Sequence, residues 1–333
     1  MKASVLMPRP KLYDSPADRV RACRQRQKLQ RLAPLTSLFP YYGGKSQVAP
    51  ILWQSLGEVR HYLEPFAGSL AVLLARPHRP RVETVNDRDG HLVNLWWALA
   101  ADPGAVVQHA RWPVSSIDLW ARHDYLCRER AALTAQLIAD HRYYDAALAG
   151  LWLYCASTWA GSGFGSKAGL RPTPHISHTG SGIHAVGRRG QLPRLGSEFK
   201  VRLEHVRLLC GDWQDCLTEA RLHGAGGPVG ILVDPPYSAE QRATTFYATQ
   251  DACAPAVRDW AVAHGGDARL RIALCGRDGE HQMPASWTAY AWQARGGLVN
   301  TKHHGRGSGE TRQEVVWFSP HCLQPAHQLD LHV

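Results

Sequence analysis

Four short strand-like segments of this 333-residue chain each end in a glycine turn or a carboxylate. They are rich in strand-favouring residues, and segments with a helical apolar stripe follow them. Strand, turn, helix and strand in this order predict a βαβ unit and therefore an α/β fold. In such a sheet, ligands collect where the strands end. The segments with their ends are 61–66 with Ala67-Gly68-Ser69, 82–85 with Asn86-Asp87, 206–210 with Gly211-Asp212-Trp213, and 229–233 with Asp234-Pro235-Pro236-Tyr237.

The α/β pattern is interrupted between the second and third of these segments. Residues 105–158 have a mostly helical pattern, and residues 161–196 are rich in Gly, Ser, His and Pro, which predicts a long loop. Further strands are expected at 271–275, 289–292 and 314–318, with a helix at 255–264. The predicted organisation is a flexible N-terminal arm at 1–36, an α/β domain formed by 37–104 and 203–325, and an insertion at 105–202.

Positive charge is concentrated in two parts of the chain, whose net charge is +10. Residues 1–33 contain nine Lys or Arg and two Asp, and residues 161–202 contain seven Lys or Arg and one Glu. An excess of this kind indicates a polyanion partner, although a solvated arm and a plain surface loop would also explain it. The second block begins near Trp159 and Phe164, and cationic loops with aromatic neighbours suit a nucleic acid.

Composition also predicts a compartment. No apolar run is long enough for a membrane span, and the first residues lack the apolar core of a signal peptide. The eight cysteines form no CxxC pair, so neither a disulfide scaffold nor a structural zinc site is expected. We therefore expect a cytoplasmic protein, in a bacterial cell or a phage-infected host, that needs no metal.

The segment Asp234-Pro235-Pro236-Tyr237 carries the most chemical information. Two prolines make a rigid, extended stretch without N–H donors. One carboxylate, one free carbonyl and one aromatic ring are thereby fixed around a small space. Such a site suits an amine held by two acceptors beneath a stacked ring, whereas the alternative interpretation is simply a rigid loop.

Taken together and in order, the motifs resemble the Dam-type (alpha-group) DNA adenine-N6 methyltransferases, which use S-adenosylmethionine. The resemblance extends from Leu38 to Pro320. It implies a Rossmann-like class I methyltransferase sheet with a mostly helical, loop-rich target-recognition insertion. The matching elements are Tyr41-Tyr42-Gly43-Gly44-Lys45, Glu64-Pro65-Phe66-Ala67-Gly68, Asn86-Asp87, Gly211-Asp212-Trp213, Asp234-Pro235-Pro236-Tyr237 and Arg312-Gln313-Glu314-Val315-Val316-Trp317-Phe318-Ser319-Pro320.

The resemblance also implies roles for single residues. Asp234 and Pro235 would accept the protons of the adenine amine, and Tyr237 would stack on a base flipped out of duplex DNA. The chain departs from the family at Leu70, where a second glycine is usual, and at Tyr41, which is often Trp. The residues expected to contact the methyl donor are Tyr41, Lys45, Phe66, Gly68, Asp87, Asp212 and Asp234.

The expected macromolecular partner is double-stranded DNA, bound by a monomer. The insertion would face it, through Trp159, Phe164, Lys167, Arg171, Arg188 and Arg189. Methylation of cytosine N4 is the nearest alternative reaction, although that class more often has Ser in place of Asp234. Methylation of RNA adenine or of protein glutamine, and a catalytically silent DNA-binding relative, are further alternatives.

Overall fold

The computed structural model describes residues 34–41, 43–140, 142–161, 163–176, 182–185, 188–236, 253–292 and 313–324. Of Arg189, only the backbone is described. Tyr237 and nearly all of the predicted N-terminal arm lie outside these residues, so their roles stay predictions.

Seven strands form one sheet in the described part of the chain. They are β1 (His61–Glu64), β2 (Val82–Asp87), β3 (Val206–Cys210), β4 (Val229–Val233), β5 (Leu270–Arg277), β6 (Thr288–Trp292) and β7 (Glu314–Phe318). Their order is β3-β2-β1-β4-β5-β7-β6, with β1 to β5 parallel and β7 antiparallel to both of its neighbours. The predicted α/β fold is confirmed, and the sheet is compatible with a Rossmann-like fold.

Helices connect the strands and cover the sheet. They are α1 (Ala49–Leu56), α2 (Ala71–Leu74), α3 (Gly90–Ala101), α4 (Pro103–Ala110), α5 (Ser116–Ala139), α6 (Ala146–Thr158), α7 (Leu192–Leu203), α8 (Trp213–Cys216), α9 (Glu219–His223) and α10 (Ala254–His264). Capping side chains fix several helix starts: Asp89 accepts from the backbone N–H of His91, and Asp145 from that of Leu148.

Alternating side chains build a core on each face of the sheet. Leu232 and Ala273 point to one face, together with buried residues of α1 to α7. Ile231 and Ile272 point to the other, together with residues of α8 and α10. This alternation follows from the two-residue period of a strand, and it explains why β4 and residues 272–275 of β5 are apolar. The helices of the predicted insertion share the first core and pack on α3.

The strand order reverses between β1 and β4, which are hydrogen-bonded neighbours. Chain connections leave β1 toward β2 and leave β4 toward β5, so a crevice opens beyond the carboxyl ends of these two strands. The segments after Glu64 and after Val233 therefore face each other across this crevice.

The structure corrects the predicted loop of residues 161–196. A turn of 3-10 helix at Arg189–Gln191 leads into α7, which begins at Leu192 and is buried on α3 and α4. The segment is rich in Pro and Gly, but Pro193 lies in the first helical turn, where its missing N–H costs nothing. Gly196 packs close to α4, since a Cβ at this position would lie 3.1 Å from Cβ of Pro103.

Two further sequence predictions, on the cysteines and on membrane spans, are compared with the described residues. None of the seven cysteines within them forms a disulfide, and Cys155, Cys216, Cys275 and Cys322 are buried. None of the described helices combines the length and the apolar character that crossing a membrane would require.

Candidate active site

A cleft lies at the crevice between β1 and β4. It encloses about 940 Å³ of empty space, which includes its open mouth. Its walls include residues at the ends of β1, β2, β3 and β4. Among the wall residues are Tyr41, Phe66, Gly68, Asp87, Asp212, Asp234 and Pro236.

Asp87 ties the turn after β1 to the end of β2. Its carboxylate accepts hydrogen bonds from the backbone N–H of Gly68 and that of Asp89, each at 2.9 Å. Burial raises the pKa of Asp87 to about 6, against the lowering effect of these backbone donors. The carboxylate is therefore fixed at the cleft and is available to accept from a ligand's hydroxyl groups.

The turn after β1 has a left-handed backbone at two positions. Gly68 has φ 46°, and a Cβ there would lie 2.7 Å from the ring of Tyr41, so glycine lets the two segments touch. Leu70 has φ 55°, the only positive φ of a non-glycine residue in the described chain. Its side chain is fully buried. The turn thus has the conformation that glycine favours at the position where the chain departs from the family.

Carbonyl and amide groups close the cleft beneath the ends of β1, β2 and β3. The Asn86 amide donates to the carbonyls of Pro65 and Gly211, which holds the ends of β1 and β3 together. Its oxygen Oδ1 is buried and has no hydrogen-bond partner within the described residues. Asp212 caps α8 by accepting from the N–H of Gln214 at 2.9 Å, and it is exposed at the cleft.

Lys45 links the segment before α1 to the end of β4. Its ammonium donates to the carbonyl of Gly43 at 2.7 Å and forms an ion pair with Asp234 at 2.9 Å. Glu314, the first residue of β7, lies 3.6 Å from the same ammonium. The Lys45 side chain is 4% exposed and that of Asp234 is 21% exposed. A single cation thus bridges two carboxylates at the base of the Asp-Pro-Pro segment.

Opposing effects act on the ionisation of Asp234. Burial raises its pKa above the ordinary value for Asp, while the ammonium of Lys45 lowers it and the charges of Glu314 and Glu280 raise it. Glu64, at the end of β1, is also buried, which raises its pKa well above the ordinary value although Tyr62 donates to it at 3.1 Å. Carboxyl groups are therefore concentrated around the buried ammonium of Lys45 at the end of β4.

Comparison with known families adds to this geometry. Residues 41–158 match the family model of the D12 class N6 adenine-specific DNA methyltransferases. The match supports an adenine DNA methyltransferase, for which DNA is the substrate. It includes Tyr41, Lys45, Gly68 and Asp87 and ends before the Asp-Pro-Pro segment. A comparison with curated proteins found no match.

The structure brings most residues of the predicted donor site together. Tyr41, Phe66, Gly68, Asp87, Asp212 and Asp234 all line the one cleft, although they come from five separate segments of the chain. Pro235 lies between two residues that line it. Lys45 is different: its ammonium is engaged by Asp234 and Glu314 instead of lining the cleft, so a direct donor contact is not what the structure shows.

Several residues predicted to face DNA have other partners in the structure. Trp159 is 3% exposed and packs against His123 and Phe164, so its ring is not at the surface. Arg188 donates to the carbonyl of Ser37 and the hydroxyl of Thr36, which explains why it is partly buried. The prediction for Trp159 is therefore wrong as a surface contact, whereas DNA contact by the half-exposed Arg188 stays a prediction.

The other predicted DNA contacts differ in their surroundings. Lys167 is exposed, and Arg171 is exposed but pairs with Asp124 at 2.8 Å. Phe164 lines the cleft. The side chain of Arg189 lies outside the described residues. Lys167 and Arg171 therefore keep their predicted place at the surface, whereas Phe164 is at the small-molecule site.

Three polar residues at or beside this site were not predicted from the sequence: Glu314, His123 and Arg130. Glu314 has a simple signal, since it is the one charged residue of an otherwise apolar strand. His123 and Arg130 are seven residues apart on α5, a spacing that places them on one helix face. Arg130 lines the cleft and pairs with Asp89, while His123 is buried behind it. Nothing in the local sequence indicates that this face meets the sheet.

The cleft suits the methyl donor that the family implies. Carboxylates at the ends of β2 and β3 can accept from hydroxyl and amino groups, and Phe66 stacked on Trp213 provides an apolar wall. The unpartnered oxygen of Asn86 is a further acceptor at the same place. No group of three or more His, Cys, Asp or Glu side chains with metal-binding geometry occurs among the described residues.

Proposed function

We propose that this protein transfers a methyl group from S-adenosylmethionine to N6 of an adenine that is flipped out of duplex DNA. The observation that carries the proposal is the position of Asp234-Pro235-Pro236. This segment follows β4 at the reversal of strand order and borders the same cleft as Asp87 and Gly68. A base and a donor bound at this edge would meet beside the Asp234 carboxylate.

Different residues of the cleft would contact different parts of the donor. Asp87 would accept from the ribose hydroxyls of the donor and Asp212 from its adenine amine, while Phe66, Gly68 and Tyr41 would enclose its methionine part. The bound donor supplies an electrophilic methyl group on a sulfonium. The exocyclic nitrogen of adenine is a weak nucleophile because its lone pair is delocalised into the ring.

Asp234 would act on that nitrogen directly. Its carboxylate and the carbonyl of Pro235 would accept hydrogen bonds from the two N–H groups of the amine, which favours a tetrahedral nitrogen with an available lone pair. This lone pair would form a bond to the methyl carbon while the bond from that carbon to the sulfonium breaks. S-adenosylhomocysteine would leave, and the methylated nitrogen would lose one proton to the Asp234 carboxylate or to water. Lys45 holds one oxygen of Asp234, Oδ2, at 2.9 Å, which fixes the orientation of the carboxylate. Catalysis would thus rest on positioning and on fixed charges, with no covalent bond to the enzyme. Tyr237 would stack on the flipped base.

The proposal is tested by transfer of a labelled methyl group from S-adenosylmethionine. Duplex DNA, single-stranded RNA and a protein acceptor are offered separately to the full-length protein. We expect label in duplex DNA and none in RNA or protein. Label in RNA or in protein alone would contradict the substrate, and the absence of both transfer and donor binding would contradict the function.

A further inference from the structure

The turn formed by residues 163–166 is held in place far more firmly than a surface loop requires. Gly163 and Gly165 both have a positive φ, and the backbone N–H of Ser166 donates to the carbonyl of Gly163 at 3.0 Å. Phe164 lies between the two glycines and packs against Trp152 and Trp159, with ring centroids 5.4 and 5.5 Å apart.

Two side chains of α5 bind both polar backbone groups of Gly165. Arg130 donates to the carbonyl at 2.8 Å, and Nε2 of His123 accepts from the N–H at 3.0 Å. His123 is fully buried, and burial lowers its pKa to about 4, so the imidazole is neutral and able to accept. Arg130 also pairs with Asp89, two residues after Asp87. The turn is thereby fixed to the rim of the sheet.

The next residues are attached to the same helix. Asp124 accepts from the N–H of Gly169 at 2.8 Å and pairs with Arg171, and Trp120 donates to the carbonyl of Pro172 at 2.8 Å. The segment that enters the predicted recognition region is therefore anchored along α5. Its one aromatic side chain directed to the cleft is Phe164, which lines it together with Gly165 and Asp87.

We propose that Phe164 belongs to the donor site, where its ring forms an apolar wall against the adenosine part of S-adenosylmethionine, and that His123 positions it through Gly165. This inference rests on the proposed function. It replaces the prediction that Phe164 stacks on DNA. The residue lies beyond the matched residues 41–158, so the family match does not assign it.

The test measures donor binding without DNA. The full-length protein and its variants are titrated with S-adenosylhomocysteine in a calorimeter, and their binding to a duplex oligonucleotide is measured separately by fluorescence anisotropy. We expect Phe164→Ala to weaken S-adenosylhomocysteine binding more than fivefold and to change duplex affinity less than twofold. The matched control is Lys167→Ala, three residues further on and exposed, which should leave S-adenosylhomocysteine binding within twofold.

Two further variants show whether weaker binding results from a lost ligand contact or from a loss of folded structure. Phe164→Leu keeps apolar contact with Trp152 and Trp159, and it should still weaken binding relative to wild type if the ring itself contacts the ligand. His123→Phe removes the acceptor for Gly165 without reaching the cleft, and it should weaken S-adenosylhomocysteine binding while the unliganded unfolding temperature reports its structural cost.

The outcomes separate this inference from the proposed function. If wild type binds S-adenosylhomocysteine and Phe164→Ala binds it with a change of fivefold or less, the inference is wrong. If that variant loses duplex affinity while its S-adenosylhomocysteine affinity is unchanged, Phe164 contacts DNA instead of the donor. If wild type itself does not bind S-adenosylhomocysteine, the proposed function is contradicted as well.

Discussion

Lys45 Nζ lies 2.9 Å from Asp234 Oδ2, and this ion pair joins the segment before α1 to the end of β4. The two residues are far apart in the chain, and both are largely buried. An ion pair of this kind contributes little net stability, but the loss of one partner leaves the other charge buried without compensation.

Removing Lys45 should therefore destabilise the fold. We expect Lys45→Met to lower the free energy of unfolding by about 3 kcal/mol, and Lys45→Met with Asp234→Asn to recover part of that loss. Denaturant unfolding of both single variants and the double variant measures the coupling between them. If the losses of the two single variants simply add in the double variant, the ion pair is not the cause of the destabilisation.

The partly buried carboxylate of Asp87 should make donor binding depend on pH. Its pKa is about 6 in the unliganded protein, and an ionised carboxylate accepts from hydroxyl groups more strongly than a protonated one. Binding is therefore strong above this pKa and weakens as the pH falls through it. Calorimetric titration with S-adenosylhomocysteine at pH 5.0 and at pH 7.5 checks this, with binding expected to be several-fold weaker at the lower value.

Asp87→Asn is the matched control for this pH dependence, because it cannot titrate. The variant should bind S-adenosylhomocysteine weakly at both pH values, with little difference between them. A variant that keeps the full pH dependence would assign it to another group.

At position 70, the usual order of stability of an alanine variant and a glycine variant should be reversed. A left-handed backbone costs a non-glycine residue about 1–2 kcal/mol, and both replacements lose the same buried side chain. Leu70→Gly is therefore expected to be at least as stable as Leu70→Ala, although both are less stable than wild type. At Leu73, which is equally buried but lies within α2, glycine should be less stable than alanine by about 1 kcal/mol. Thermal unfolding of the four variants tests the difference, and the same order at both positions would contradict it.

Arg202 shows that part of the basic charge is structural. Its guanidinium bonds both oxygens of Glu83, at 2.6 and 2.9 Å, and Arg76 donates to the same carboxylate at 3.0 Å. Arg202→Met should lower the free energy of unfolding by about 3 kcal/mol without changing how DNA affinity depends on salt.

Lys167→Ala is expected to show the opposite behaviour, because Lys167 is exposed. Stability should change by less than about 0.5 kcal/mol. The slope of log affinity for duplex DNA against log salt should become shallower by about 0.9. An unchanged slope for Lys167→Ala would mean that Lys167 does not contact DNA. A changed slope for Arg202→Met would contradict the structural role of Arg202.

The strands were predictable because their signal is local. Segments such as 229–233 are apolar and β-branched, and each ends in a residue that stops a strand. The start of α7 was not predictable in the same way, since Pro193 and Gly196 are typical of a loop and only the packing of the helix on α4 explains them.

The candidate site shows the same division between local and tertiary information. Motif order placed Asp87, Asp212 and Asp234 at one edge, and they line one cleft. Composition gave the charge of Arg202 but not its burial on Glu83, 119 residues away in the chain. It also indicated an aromatic residue near the basic loop without showing that Trp159 is in the core and Phe164 at the cleft. Side-chain partners that are distant in sequence decide each of these cases.

The most direct measurement is the identity of the methylated nucleoside. Duplex DNA is incubated with S-adenosylmethionine and either wild type or Asp234→Asn, then digested to nucleosides and analysed by mass spectrometry. The proposed function predicts N6-methyladenine with wild type and none with Asp234→Asn, which should still bind S-adenosylhomocysteine. N4-methylcytosine as the product, or undiminished N6-methyladenine from the variant, would contradict it.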